Sequence, residues 1–333
     1  MVNEKLIEEF KKLEKQIKYE INHGTKEQNI GNMYRLRAIS KVISVLGKLK
    51  FEIKSVDQVK NIKNIGKKTL ERISEILKTD KLAEINPDIA NEKYFAYIEE
   101  LTQVFGIGEK TAFKLYKKYG VTSIADLRKL HKEKKIELPD NVVKGLKYVD
   151  KIKRNIPRSE MDTINNLLVK VCMEVDPQLF GVICGSYRRL KISSGDIDLL
   201  ILHPNIKTVE DMDKINYIGL VVDKLIKKGY IVDSFTSRDV VSKYFGIFQL
   251  SDKHDMRRFD IRYLPYESYY YALLYFTGSG EFNRMMRQVA IDSGYLLNEY
   301  GLYDEKGKFI PAKSEKEIFD ALGMEYISPE FRD

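Results

Sequence analysis

The sequence predicts a multidomain α+β protein with an all-helical N-terminal half and a C-terminal half built around an α/β sheet. Apolar residues recur at helical spacing from residue 4 to about residue 130, and no proline occurs before Pro87. A twelve-residue pattern repeats inside this helical half. Further along, short runs rich in β-branched and aromatic residues predict strands. At 333 residues the chain can hold several small cores.

Positive charge is concentrated at one end of the chain. The formal net charge is +8, and residues 1–85 contain 19 Lys and Arg against 12 Asp and Glu. This basic region predicts a polyanionic partner, nucleic acid rather than a membrane, although a solvated lysine-rich surface would have the same composition. Cys172 and Cys184 have no partners at metal-ligand spacing. Without a membrane-spanning run or a secretion signal, we expect a soluble intracellular protein.

Amphipathic helices account for the first half of the chain. Pro87, in the turn Asn86-Pro87-Asp88, predicts the first domain boundary, so that one domain covers residues 1–86 and the next covers residues 87–148. Apolar spacing predicts helices at about 4–21, 33–47, 67–78, 93–104, 109–118 and 122–130.

Two stretches of this half align without gaps at an offset of 42 residues, VKNIKNIGKKTL at 59–70 and LTQVFGIGEKTA at 101–112. Each predicts a helix-hairpin-helix, in which a tight turn leads into the exposed amides of a second helix, where phosphate can bind. Gly106 of the second copy is Asn64 in the first, and asparagine tolerates a left-handed backbone. The paired copies favour binding to the DNA backbone, with the candidate residues Gly66, Gly106, Gly108, Lys68 and Lys110.

The second half combines helices with short strands. A helix is predicted after Pro139, ending near Arg154, followed by a turn at 156–158 and a helix at about 159–174. Strands are predicted in LFGVIC, DIDLLIL, GYIVDSF, KYFGIFQL and RRFDIRYLP, with a helix at about 209–228 between them. The tail is predicted to contain helices at 266–275 and 280–293 and short polar turns.

Two aspartates lie one residue apart at the start of a predicted strand. Because strand side chains alternate between faces, Asp196 and Asp198 point the same way while Ile197 points into the core. Two carboxylates this close repel each other unless a cation lies between them, and hard cations such as Mg²⁺ prefer oxygen ligands. If the strand of Asp260 is adjacent, three carboxylates converge and can hold two metal ions for phosphoryl displacement. A pair of solvent-facing aspartates on an edge strand is the alternative.

The segment before these aspartates suits phosphate. Gly185 and Ser186 can offer amides and a hydroxyl, and Arg188 and Arg189 are cationic. The string GSYRRLKISSGDIDLLILHP resembles the palm motif of family X DNA polymerases of the beta type, within the nucleotidyltransferase superfamily. The strings RRFDIR, YYYALLYFTGSGEFNRMMR, LNEYGLY and SEKEIFDALGMEY follow in the family's order. The resemblance covers nearly the whole chain and implies four domains: a helical lyase-like DNA-end binding domain at 1–86, a second helix-hairpin-helix domain at 87–148, a nucleotidyltransferase-type α/β palm at 149–262 and a small nucleotide-selection domain at 263–333.

This resemblance implies a template-directed, gap-filling polymerase of DNA repair that adds dNMP to a primer 3′-hydroxyl and releases pyrophosphate. Asp196, Asp198 and Asp260 would bind two Mg²⁺ or Mn²⁺ ions. Contacts to the incoming dNTP are implied for Gly185, Ser186, Arg189, Gly195, Tyr275, Phe276, Gly278, Asn283 and Arg287.

Contacts to DNA are also implied by the resemblance. Arg284, with Asn283 and Arg287, matches residues near the minor groove of the nascent base pair, and Arg258 matches one that supports the primer terminus. Backbone carbonyls in the hairpin turns are implied ligands of a monovalent cation, Na⁺ or K⁺, that bridges to DNA phosphate. These carbonyls belong to Lys60, Ile62 and Ile65 in the first copy and to Thr102, Val104 and Ile107 in the second.

Two positions depart from the family, Gly280, where the beta type has an acidic residue near the incoming base, and Arg72. The lysine that forms a Schiff base with an abasic sugar in the lyase domain matches Arg72. A guanidinium stays protonated and cannot act as the neutral amine, so we expect 5′-deoxyribose-phosphate lyase activity to be absent or weak. Lys68 matches a residue that contacts the 5′-phosphate, and Lys67 or Lys68 remains an alternative nucleophile.

Three other functions remain open. Template-independent terminal transfer uses the same fold, a small-molecule nucleotidyltransferase shares the Gly-Ser and Asp-x-Asp pattern, and a DNA-end binding scaffold needs no catalysis. We expect a monomer that binds gapped or nicked duplex DNA and dNTP and no membrane, with a repair ligase partner left open. The nucleus or, for a viral chain, the host cytoplasm or virion are the expected locations.

Overall fold

The computed structural model describes residues 3–23, 26–86, 93–237 and 239–332. Within these ranges, none of the helices has both the length and the apolar character that crossing a bilayer requires. The chain forms two compact units, Met1–Val142 and Val143–Asp333. The predicted boundary at Pro87 lies outside the described residues, so the division into four domains stays a prediction.

The first unit is helical, as predicted. In its first helix, the apolar residues Leu6, Phe10, Leu13 and Ile17 are all buried, which explains why an amphipathic pattern folds here. Helix α1 packs against α2, and α3 closes the same core. The helices are α1 (Glu4–His23), α2 (Lys26–Lys48), α3 (Lys67–Thr79), α4 (Tyr94–Leu101), α5 (Glu109–Tyr119) and α6 (Ile124–Lys132).

The two helix-hairpin-helix copies have the same backbone geometry. In the first copy the amide of Ile65 donates to the Ile62 carbonyl at 3.1 Å, and in the second the amide of Ile107 donates to the Val104 carbonyl at 3.1 Å. The helices that follow begin after Gly66 and Gly108, and neither has a side-chain cap on its first amides. Asn64 has φ +73° and Gly106 has φ +87°, which confirms that asparagine takes the left-handed position.

The second unit is built around a five-stranded sheet with the strand order β2-β4-β7-β6-β5. The pair β4–β7 is parallel and the other pairs are antiparallel. A separate two-stranded pair joins β1 to β3. The strands are β1 (Ile156–Pro157), β2 (Phe180–Ile183), β3 (Ser193–Ser194), β4 (Ile197–Leu202), β5 (Ile231–Ser234), β6 (Lys243–Phe248) and β7 (Arg257–Tyr263).

Helices cover both faces of this sheet. Ile197, Leu199 and Ile201 of β4 join the large core that α8 and α11 complete on one face. Leu200 and Leu202 point the other way and pack with α12. The helices of this part are α7 (Asp140–Tyr148), α8 (Arg158–Val175), α9 (Gly185–Arg188), α10 (Val209–Met212), α11 (Tyr217–Lys227) and α12 (Tyr269–Thr277).

The C-terminal part has its own smaller core, in which Phe282, Met286, Ile318 and Phe319 are buried. Its elements are α13 (Gly280–Asp292), a three-stranded sheet of β8 (Leu296–Leu297), β9 (Leu302–Tyr303) and β10 (Phe309–Ile310), and α14 (Glu315–Ala321).

Several predicted elements were wrong in detail. The helix at 209–228 is two helices, α10 and α11, because the Asn216 side chain accepts a hydrogen bond from the Gly219 amide at 2.8 Å and starts a new one. The helix after Pro139 ends at Tyr148, since Ile152 already bridges to Met256. The turn at 156–158 is strand β1 followed directly by α8. The tail contains β8–β10 and α14 where only turns were predicted.

Substituting Gly106 tests whether the hairpin turn requires glycine. In Gly106→Ala a Cβ would lie 2.8 Å from Asn141 Nδ2 and 2.9 Å from Val142 Cγ2, at a positive φ. We expect a loss of about 2 kcal/mol in the free energy of unfolding of the first unit, measured by urea denaturation. The matched control Gly108→Ala has φ −91° and nothing within 4 Å, so its loss should stay within about 0.5 kcal/mol. Equal losses would contradict this account of the turn.

Candidate active site

The three carboxylates come together because β4 and β7 are parallel neighbours. Asp198 of β4 is in register with Asp260 of β7, and Asp196 immediately precedes β4. Each aspartate offers an oxygen within 4.8 Å of the others. Ile197, between the first two, is fully buried on the opposite face, as predicted. The alternative of an edge-strand pair facing solvent was wrong, because β4 lies between β2 and β7.

The three carboxylates repel one another. Removal from water, together with the charges of Asp196 and Asp260, raises the pKa of Asp198 to about 8. Burial also raises the pKa of Asp260, against the opposing effect of the Arg258 guanidinium. Without a cation, the group is therefore poorly disposed to hold three negative charges at neutral pH.

Arg258 compensates for part of this charge. Its Nε donates to Asp260 Oδ1 at 3.0 Å and its Nη2 donates to Asp260 Oδ2 at 2.5 Å, while Asp196 Oδ2 lies 3.7 Å from Nη2. The hydrogen bonds to Asp260 raise the pKa of Arg258 further above its ordinary value. Arg258, predicted to support a primer terminus, thus lies against the carboxylates and fixes the orientation of Asp260.

The donor set fits a divalent metal. All the converging ligands are carboxylate oxygens, which Mg²⁺ and Mn²⁺ prefer, and their mutual repulsion is what a bound cation would relieve. Space beside Asp198 is kept by Gly185, whose φ is +57°, because a Cβ there would overlap Asp198 Oδ2. The three aspartates are therefore a candidate metal-binding group of this chain.

A cleft of about 280 Å³ opens directly onto Asp196 and Asp198. Ser186 and Arg189 line one side, and the segment that connects α12 to α13 lines the other. The Asn283 side chain stabilises this segment by donating from Nδ2 to the Tyr275 carbonyl at 2.6 Å. Of the residues predicted for nucleotide binding, the cleft brings together Gly185, Ser186, Arg189, Tyr275, Phe276, Gly278 and Asn283.

Other predicted residues lie around the cleft. Arg287 packs its guanidinium carbon 5.0 Å from the centre of the Tyr275 ring. Arg284 is exposed, and its Nη1 would lie 3.9 Å from a Cβ at Gly280. Gly195 is exposed and precedes Asp196 without lining the cleft. Gly280 also lines the cleft, whereas sequence reasoning missed Thr277 and Ser279 in the lining, although they lie between predicted residues.

The predicted DNA-binding residues of the two helix-hairpin-helix copies lie in the first unit, whereas Arg258 and Arg284 lie in the second. Lys68 and Lys110 are exposed in the first turns of α3 and α5, beside the uncapped amides after Gly66 and Gly108. The carbonyls of Ile62 and Val104 each accept an amide three residues later and, as carbonyl oxygens, retain a second lone pair for a cation. The monovalent-cation sites stay predictions, with the carbonyls of Lys60, Ile62, Ile65, Thr102, Val104 and Ile107 as their ligands.

Arg72 is held in a bidentate ion pair with Glu84. Its Nε donates to Glu84 Oε1 and its Nη2 donates to Oε2 at 3.0 Å. Both side chains are partly buried. The position matched to the Schiff-base lysine is thus occupied by a cation that is already paired.

Replacing Asp198 tests the repulsion directly. Because its pKa in the folded protein lies above the unfolded value, Asp198 lowers folding stability as the pH rises from about 4 to about 8. In EDTA, Asp198→Asn should therefore raise the midpoint of thermal unfolding by about 3 to 6 °C at pH 8 and by less at pH 5. Asp213→Asn, an exposed control, should leave the midpoint unchanged. A destabilised Asp198→Asn at pH 8 would show that the carboxylates do not repel one another.

Comparison with known proteins gives a consistent family. Family models match as the DNA polymerase beta palm at residues 155–266, the DNA polymerase beta thumb at 272–333, a helix-hairpin-helix domain at 1–82 and the fingers domain of DNA polymerase lambda at 99–153.

Individual relatives align with almost the entire chain. DNA polymerase lambda of Rattus norvegicus is 30% identical over 320 residues, which are 91% of this chain and 53% of the relative. DNA polymerase lambda of Arabidopsis thaliana is 31% identical over 323 residues, 91% of this chain and 59% of the relative. DNA nucleotidylexotransferase of Xenopus laevis is 27% identical over 328 residues, 90% of this chain and 64% of the relative. The chain spans little more than half the length of the two polymerase lambda relatives.

The helix-hairpin-helix, fingers, palm and thumb models match the chain one after another along its length. The chain therefore belongs to family X of the DNA polymerases.

Proposed function

We propose that this chain is a template-directed DNA polymerase that fills short gaps during DNA repair. The observation that carries the proposal is the convergence of Asp196, Asp198 and Asp260 beside a cleft with cationic and glycine-rich walls, which Asp196 and Asp198 line. In the proposed reaction the primer 3′-hydroxyl attacks the α-phosphate of a dNTP, one phosphodiester bond forms and pyrophosphate leaves. Such chemistry depends on positioning and charge neutralisation rather than on a covalent intermediate with the protein.

The three aspartates would hold two Mg²⁺ or Mn²⁺ ions, which supply charge neutralisation at the phosphates and ease loss of the hydroxyl proton. Ser186 and Arg189 would bind the triphosphate from one wall of the cleft. Arg258 would orient Asp260 near the primer terminus and partly offset the effect of burial on its carboxylate.

Nucleotide choice would depend on the opposite wall. Tyr275, Phe276 and Gly278 would lie against the sugar, where ring and backbone leave no room for a 2′-hydroxyl. Asn283, Arg284 and Arg287 would contact the minor groove of the nascent pair. Asn283 also fixes this wall through its bond to the Tyr275 carbonyl.

The hairpins would hold the DNA backbone on both sides of the gap, by amides after Gly66 and Gly108, by Lys68 and Lys110, and by Na⁺ or K⁺ at the turn carbonyls. This mode needs no sequence readout, which suits an enzyme that acts at any gap. We propose a monomer for this activity.

The lyase activity is proposed to be absent or weak. Arg72 cannot supply a neutral amine, and its bidentate pair with Glu84 keeps it in place. End binding through Lys68 would persist without the elimination reaction.

A single-nucleotide gapped duplex tests the polymerase proposal. With Mg²⁺ we expect the complementary nucleotide alone to be inserted, and Asp260→Asn should lower the rate about a thousandfold while Asp213→Asn retains it. Addition of any nucleotide to a single-stranded primer would favour terminal transfer instead. No insertion with either Mg²⁺ or Mn²⁺ would contradict the proposal and favour a DNA-end binding scaffold.

Borohydride trapping tests the lyase prediction on the same duplex carrying a 5′-deoxyribose phosphate. The wild-type chain should give no trapped adduct. Arg72→Lys should give a weak adduct, because Glu84 would hold the new ammonium protonated, and the double variant Arg72→Lys, Glu84→Gln should give more. An adduct with the wild type would show that another amine acts, and Lys67→Arg and Lys68→Arg would then identify it.

A further inference from the structure

A charged side chain is fully buried at the end of the described chain. Arg332 is 0% exposed, and its guanidinium carbon lies 5.4 to 5.6 Å from the ring centres of Phe282, Phe319 and Tyr326. Its Nε donates to the Ile327 carbonyl at 2.8 Å. Apolar packing alone would favour a leucine or methionine here, since a buried charge is costly unless it is paired. The arginine therefore calls for an explanation beyond filling the core.

Glu315 provides the pairing and extends it to a second arginine. Its Oε1 accepts from Arg332 Nη1 at 2.6 Å and from Arg188 Nη1 at 3.1 Å, and its Oε2 accepts from Arg188 Nη2 at 2.7 Å. Burial opposes ionisation of Glu315, but the hydrogen bonds from Arg188 and Arg332 outweigh it and lower the pKa of this carboxyl. One buried carboxylate thus joins Arg332 to α9, next to the cleft.

Arg188 connects Glu315 to the wall of the cleft. Its Nη1 donates to Thr277 Oγ1 at 2.7 Å, and Thr277 is fully buried. The Thr277 carbonyl accepts from Arg189 Nη1 at 2.6 Å. From the other side, the Arg332 carbonyl accepts from the Ser279 amide at 2.8 Å. Arg332 therefore holds Thr277 through two intermediates and Ser279 directly.

The residue between Thr277 and Ser279 is a glycine, which has more backbone freedom than any other residue type. Gly278 has φ +70° and ψ −155°, a region that only glycine readily occupies. Thr277, Gly278 and Ser279 all line the cleft. A binding wall must stay within about 0.5 Å of its working geometry, and a glycine between two helices does not ensure this by itself. The anchors on either side supply the missing restraint.

We propose that Arg332 is a positioning residue for the nucleotide cleft, which it serves by fixing the Thr277–Ser279 wall through Glu315 and Arg188 and through its own carbonyl. The inference rests on the proposed function, in that the occupant of the cleft is taken to be a dNTP. Loss of the side chain should loosen the wall that contacts the sugar. Affinity for dNTP should fall, and discrimination against ribonucleotides should weaken, while the carboxylates keep their places on the sheet.

The experiment compares Arg332→Ala, Arg332→Lys and Leu322→Ala with the wild-type full chain. Leu322 is buried in the same core but is apolar, so it has no part in the hydrogen-bond chain and controls for lost stability. In Arg332→Ala we expect the KM for dNTP to rise about tenfold with a smaller change in kcat. The ratio of ribonucleotide to deoxynucleotide kcat/KM should rise about threefold or more. Arg332→Lys should recover part of both, because lysine keeps one ion pair with Glu315.

Amide hydrogen exchange at residues 276–280 in the unliganded protein gives a second measurement that needs no catalysis. Faster exchange in Arg332→Ala than in Leu322→Ala supports the positioning role. Equal exchange, KM and sugar discrimination in these two variants would overturn it. If the wild type inserts no nucleotide but exchange rises only in Arg332→Ala, the proposed polymerase function is wrong, while the role of Arg332 in fixing the Thr277–Ser279 wall is supported. If the wild type is inactive and exchange is equal, both fail.

Discussion

Repulsion among three carboxylates on two adjacent strands is the constraint around which the second unit is organised. A sheet that places Asp198 opposite Asp260 brings like charges together in a partly buried site. The opposite sides of the same strands offset this repulsion, because Ile197, Leu199, Phe259 and Ile261 are buried in the large core that α8 and α11 complete. Along β4 and β7 the carboxylates Asp198 and Asp260 thus point to one face while their immediate neighbours point into the core on the other, and strand alternation separates the two sets.

The features that depend on local periodicity were predictable from sequence. Helices α1, α3 and α5, the strands of the palm sheet and the shared direction of Asp196 and Asp198 follow from apolar spacing alone. The left-handed backbone at Asn64 follows from its alignment with Gly106. Placing Asp260 beside them needed strand adjacency, which periodicity does not determine, and there the family resemblance decided the matter.

The remaining features depend on contacts between distant segments. Strands β8, β9 and β10 are each two residues long, which is too short to show an alternation of apolar and polar residues in the sequence. The division of the 209–228 helix rests on one side-chain cap at Asn216. Burial of Arg332 depends on Glu315 and on three aromatic rings. From sequence alone, an arginine is expected to be exposed to solvent. Sequence reasoning therefore found the three carboxylates but not the framework behind the cleft wall.

The parallel pairing of β4 and β7 has a consequence for how such a chain can vary. After β4 the polypeptide forms α10 and α11, adds β5 and β6 to the far edge of the sheet, and only then forms β7 between β6 and β4, which places Asp260 beside Asp198. The register between β4 and β7 is set by their own hydrogen bonds and by the core beneath them, not by the number of residues that connect the two strands. Insertions and deletions between the two strands can thus remodel the outer surface of this part of the chain while the arrangement of the three carboxylates is kept.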